Sequence, residues 1–169
     1  MKLLLSIARV IDACNEWVGR VAQWLIVALV LVFIYESVMR KGFNAPQIWF
    51  TEVSYFLFGY YILFGSAYTF LHGGHVSIDL FSERLSEKWR HLLAIACLIG
   101  FTLVFTFAMV KGGLPIAIRS WQVGELGNSF WRPPLAHFRS VIPAAFLLIF
   151  LQGVSFLIKH IAALRGEQP

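Results

Sequence analysis

Between Trp49 and Asp79 the chain reads WFTEVSYFLFGYYILFGSAYTFLHGGHVSID, an apolar run with one acid, Glu52, a turn inside its start and with His72, His75 and Asp79 at its exit. These residue types admit three kinds of chemistry. An ionisable side chain at a membrane span costs several kcal/mol unless paired, so Glu52 asks for a cation, in this chain or in another. His72, His75 and Asp79 share one face if a helix runs through them, which is a metal-site pattern. Gly73 and Gly74 oppose such a helix, and the plainer reading has His75 and Asp79 hydrogen-bonding backbone groups where the chain leaves the membrane. A haem needs two histidines at matching depth on facing helices. His72, His91 and His160 share a level at one membrane end, which keeps a four-helix haem-binding anchor of a redox complex as the alternative function.

The sequence contains no Gly-rich phosphate loop, nucleophile elbow or paired catalytic carboxylates, so no catalytic residue is assigned and the chain reads as a non-enzyme without a cofactor of its own. Cys14 and Cys97 stand apart without CxxC spacing and read as small apolar fillers. A net charge of +5 fits a membrane surface, and with no basic stripe interleaved with exposed aromatics it does not point to nucleic acid.

The elements that must carry these residues are membrane helices. Of 169 residues, 59% are hydrophobic and 14% charged, and the mean hydropathy is +0.72. A soluble domain with a solvated surface does not have this composition. Charge-free runs of 19 residues extend over 53–71, 92–110 and 140–158, each about 28 Å long as a helix, close to the hydrocarbon thickness. An earlier run from Val21 to Tyr35 is followed by Glu36, which lies four residues before Arg40 and is neutralised by it on one helix face. The expectation is an all-α integral membrane protein, one domain with four transmembrane helices at approximately 20–39, 48–71, 91–113 and 136–159. Tryptophans at 17, 24, 49, 89, 121 and 131 all fall near span ends or in connections, as an interfacial belt.

Two amphipathic segments are expected to lie at the interface. Leu3, Ile7, Val10, Cys14, Trp17 and Val21 recur at helical spacing opposite Arg9, Asp12, Glu16 and Arg20, which makes the N-terminus a surface helix leading into the first span. Ile78, Phe81, Leu85, Trp89 and Leu92 form a similar face between the second and third spans, where Ser86 and Glu87 also resemble a helix start. Gly42 and Pro46 break the first connection. The third, with Gly112, Gly113, Pro115, Gly124, Gly127, Pro133 and Pro134, leaves open whether helix three stops before Pro115 or runs past it. With both termini cytoplasmic, eight Lys and Arg lie inside and six outside, so the positive-inside rule leans that way. A self-sufficient carrier has broken helices around a midplane site; four spans without a mid-membrane polar cluster look like an accessory.

Several residues in order carry a family resemblance: Val38, Met39 and Arg40, then Phe43, then Trp49 and Glu52 after a short turn, Gly65 within the span, and His75, Val76 and Asp79 at its exit. Gly124 with Glu125, the Trp131–Pro134 hairpin, and Ile142 with Pro143 opening the last span continue it over nearly the whole chain. This order resembles the DctQ-type small membrane subunit of tripartite ATP-independent periplasmic (TRAP) transporters. It departs at Thr51, where many relatives have a second acid beside Glu52. The resemblance implies a multi-pass protein of the bacterial inner membrane, with cytoplasmic termini. It implies two partners besides lipid: a large (DctM-type) elevator carrier that holds the substrate and sodium sites, and a periplasmic binding protein that delivers an organic acid. The small subunit would act as a static scaffold, with Glu36, Arg40, Trp49, Glu52, Gly65, His75, Asp79, Glu125 and Pro143 as structural or interface residues. Two readings of Glu52 follow. Arg40 clamps Glu36 and Glu52 together in an antiparallel hairpin, or Glu52 meets a basic residue of the large subunit. Gly59, Gly65, Ser66 and Ala67 offer close helix approach, within this bundle or across that interface.

Overall fold

A computed structural model describes residues 2–73 and 86–165. It is all helix apart from its connections. Helix α1 spans Lys2–Gly42 and α2 spans Phe50–Leu71. A third rod comprises α3 (Glu87–Cys97), a π-helical stretch (Leu98–Leu103) and α4 (Val104–Val123), and α5 spans Ala136–Leu164. Three candidate spans, Leu3–Gly42, Lys88–Val123 and Ala136–Leu164, are long and apolar enough to cross a membrane, against the four expected. Helix α2 has 22 residues, about 33 Å, but its four tyrosines, two glycines, serines and threonines dilute its apolar character.

The expected surface helix and first span are one continuous helix of 41 residues, about 60 Å long. No proline interrupts it, and its one interior glycine serves contact, not bending: a Cβ on Gly19 would collide with the Tyr68 ring of α2. Five of the six buried residues of α1, Ala8, Asn15, Ala22, Leu29 and Glu36, recur every seven positions; the sixth is Gly19. One seam therefore runs the length of the helix, facing α5 near its start and α2 further on. The apolar set Leu3, Val10, Trp17 and Val21 lies on the exposed side. The helix ends where Arg40 and Lys41 complement its dipole, the Ala45 N–H bonds the Met39 carbonyl at 3.0 Å, and Asn44 takes a left-handed conformation before Pro46.

Helix α2 returns antiparallel to α1. Tyr35 stacks on Trp49 at 5.8 Å and Phe33 meets Phe50 at 5.0 Å at one end, while Gly19 faces Tyr68 at the other. It stops after Leu71, with Gly73 at φ +69° accepting the left-handed turn that other residues resist. The break expected at this glycine is present. The second amphipathic segment, with His75 and Asp79, lies mostly outside the described residues, which resume at Ser86 just before α3.

The third helix does run past Pro115, to Val123. It closes on Gly124 in the left-handed region, with Glu125 N–H bonded to the Ser120 carbonyl and Gly124 N–H to that of Trp121, the Schellman arrangement. Residues 125–135 fold back as a tight excursion, pinned by Gly127 N–H to Pro133 O at 2.8 Å and Leu135 N–H to Glu125 O at 2.9 Å. Pro143 does not open the last helix; it is buried inside α5, seven residues after its start, where Gly113 of α4 lets the ring approach to 3.4 Å of a would-be Cβ.

Helix α5 is the hub, touching every other helix, while α1 and α2 pair with each other and α3 and α4 join through the π stretch. The buried apolar residues are mostly small: Ala8, Ala22, Ala67, Ala117, Ala136, Ala145 and Ala162. Large apolar residues crowd the outer surface instead. Lipid is as apolar as leucine, so helices here gain by close backbone approach and not by withdrawing leucines from water.

Candidate functional site

At the α1–α2 tip, Glu36 is only 3% exposed yet fully engaged. One carboxylate oxygen accepts from Arg40 Nε at 2.9 Å and Nη2 at 2.6 Å, and the other accepts the Gln47 backbone N–H at 3.1 Å. The acid thus closes the turn as well as pairing with Arg40, because Gln47 lies just past Pro46 and has no helical acceptor of its own. Trp49, stacked on Tyr35, holds the start of α2 against the end of α1. Glu52 sits in the first turn of α2, but no ion pair joins it to Arg40, and its Oε2 is covered without a hydrogen-bond partner. The clamp holds Glu36 alone.

Below this tip is a polar seam between α1 and α5 that the sequence reading did not find. Asn15 Nδ2 donates to Gln152 Oε1 at 2.6 Å and to the Leu148 carbonyl at 3.3 Å. Gln152 Nε2 donates to Asp12 Oδ1 at 2.9 Å, the Ser155 hydroxyl donates to the same oxygen at 2.7 Å, and Lys159 pairs with Asp12 Oδ2. Asn15, Gln152 and Ser155 are almost wholly buried. The available signal was spacing: Asp12 and Asn15 are three apart, and Gln152, Ser155 and Lys159 occupy one face of α5 at steps of three and four.

Other polar groups cluster at helix ends. Glu125 pairs with Arg139 across the third connection, and the adjacent guanidinium holds its carboxyl below the ordinary glutamate range. Trp121 Nε1 donates to Ser140 Oγ at 2.8 Å, tying α4 to α5 beside that pair. The Tyr60 hydroxyl meets His137 Nδ1, and Gly59 clears space for Phe138, whose ring atom would lie 2.6 Å from a Cβ there. Gly65 has open space before it, beside a groove lined by Gln23, Tyr61, Ser66 and Thr69.

His72 faces Glu16 of α1 at 3.3 Å, and no group of three metal-ligating side chains forms among the described residues. His75 and Asp79 lie outside them. His91 and His160 do share a level, but their Nδ1 atoms are 2.9 Å apart, hydrogen-bonded to each other and too close to grip an iron between them from opposite sides. The haem reading has no support in this geometry.

Comparison with known proteins agrees with the residue order noted above. The family model described as tripartite ATP-independent periplasmic transporters, DctQ component, matches residues 29–163. A sialic acid TRAP transporter small permease protein, SiaQ of Vibrio cholerae, is 35% identical over 72 residues, 43% of this chain and 42% of that protein. The aligned part thus spans less than half the length of this curated relative. The family match contains the closed tip, the α5 hub and the Glu125–Arg139 connection, and it covers most of the chain, which therefore belongs to the DctQ component family of TRAP transporters, a family of transport subunits and not of enzymes.

Proposed function

We propose that this chain is the small, static membrane subunit of a sodium-coupled, binding-protein-dependent importer of an organic acid. It anchors a large elevator-type carrier subunit in the bacterial inner membrane and meets a periplasmic binding protein at least transiently. The similarity to a small permease protein of a sialic acid transporter supports an acid as substrate. Helix α2 is the fourth span: antiparallel to α1 and about 33 Å long, it has the length to cross, and Tyr55, Tyr60 and Tyr68 are at contacts with Phe138, His137 and His72. Both termini are cytoplasmic, in keeping with the eight-to-six distribution of basic residues. The whole chain is one membrane domain. Sodium and substrate sites belong to the large subunit, and this chain needs no cofactor.

The observation that carries the scaffold role is the seam of Asp12, Asn15, Gln152, Ser155 and Lys159. Buried polar groups that would line a pathway are instead spent on tying α1 to α5. Alternating access requires elements that part from one another around a site, and cross-helix bonds of this kind oppose parting. The purified chain in liposomes is expected to move no organic acid under a sodium gradient, with uptake appearing only when the large subunit and loaded binding protein are added. Sodium-driven accumulation by the chain alone would refute the scaffold role.

A further inference from the structure

We propose that Glu52 is one half of an ion pair between subunits, its carboxylate receiving a guanidinium or ammonium group of the large membrane subunit. The inference rests on the scaffold reading above and names the contact through which the scaffold grips its partner.

Glu52 is the third residue of α2, where the helix dipole favours an acid. The dipole accounts for a carboxylate in that turn, but not for one that is covered and left unbonded. Its Oε2 is sealed from solvent without a donor, and the side chain makes no hydrogen bond or ion pair with the described residues. Two cations of the tip and the third connection already pair with other acids. Arg40 gives two bonds to Glu36, and Arg139, beside the Phe138 that packs on Tyr55 and Phe56, pairs with Glu125 through Nη2, although its covered Nε has no partner. A half-covered carboxylate in apolar surroundings is costly until a cation arrives.

The surroundings suit a protein partner better than water. Tyr55, one helical turn on from Glu52, is 62% exposed although its ring touches Phe138 at 5.2 Å. Ile48, four residues before Glu52, and Phe43 on the turn are also exposed. A charge bordered by exposed aromatic and aliphatic side chains has the anatomy of an interface anchor, in which apolar neighbours exclude water from the pair. Glu36 shows the contrast within the same tip: its acid is paired at home and buried, with no open side for a partner. A guanidinium fits this role best, since its planar fork binds a carboxylate through two parallel bonds.

The test uses the full chain co-expressed with the tagged large subunit and purified in detergent. Glu52→Lys is expected to lower co-purification roughly tenfold or more, because it sets two cations against each other, and Glu52→Gln to lower it less. Phe130→Ala, in the third connection, should leave it unchanged. A photoreactive residue in place of Tyr55 should cross-link to the large subunit near a Lys or Arg, and changing that residue to Glu should restore assembly of Glu52→Lys. Size exclusion of the isolated variants reports folding, and if Glu52→Lys fails to fold, Glu52→Gln and the cross-link decide. Wild-type yield for both Glu52 variants, or cross-links to lipid alone, would overturn the proposal while the scaffold role stands. Failure of the wild-type chain to co-purify would remove the scaffold role and this contact together.

Discussion

Glu36 and Glu52 show how two acids of one hairpin take different fates through their partners. Glu36 is expected to couple to Arg40 and Glu52 is not. In a double-mutant cycle read by melting in detergent, Glu36→Gln and Arg40→Gln should be non-additive by about 1 kcal/mol, whereas Glu52→Gln and Arg40→Gln should simply add. Coupling of the second pair equal to that of the first would restore the wider clamp. Glu125 gives a pH signature. Its carboxyl titrates lower in the folded chain because of Arg139, so the pair's contribution is fully present above the unfolded glutamate value and disappears as pH falls through the folded one. Wild type should therefore melt above Glu125→Gln at neutral pH, and the two curves should converge in acid. A gap that is constant from neutral to acid pH would contradict this.

At the level of elements, helix existence was legible because charge-free runs of span length have few other uses, and the end of α2 was legible because Gly73 and Gly74 follow it. The continuity of α1 was hidden. Its exposed apolar face resembles that of a surface helix, and its true contact stripe of Ala8, Asn15, Ala22, Leu29 and Glu36 mixes residue types that no hydrophobic pattern singles out. The partners in the polar seam are some 140 residues apart, Gln152 to Asp12 for example, so spacing within one helix marks each half without joining them. Of the candidate site residues, the Glu36–Arg40 pair followed from a four-residue step; Glu125–Arg139 depended on the fold of a connection that sequence pattern does not specify. The glycines make a matched test of which contacts matter. Gly19→Ala drives a methyl into Tyr68 and should cost about 1–3 kcal/mol in the isolated chain. Gly65→Ala meets open space and adds helix propensity, so it should leave that melting temperature the same or slightly higher. Equal losses at both positions would mean that α2 packs differently.

The molecule as a whole is organised around α5, with small residues at its contacts and large apolar ones outside. This inside-out distribution suits a hydrocarbon surround and needs a topology to match. Reporters fused at Met1 and after Pro169 should both read cytoplasm, and one inserted near Gly127 should read periplasm; a periplasmic C-terminus would exclude α2 as a fourth span or reverse the orientation. The two anchor points of α1 set a further property of the assembly. Asp12 is tied to α5 and Glu36 to the turn before α2, so the helix is fastened at points about 36 Å apart along its axis. A free helix that meets a bilayer of unsuitable thickness adapts by leaning. With both points tied, α1 cannot lean by itself, so an adjustment to local membrane thickness has to be shared by the helices it is fastened to, and the bundle responds as one body.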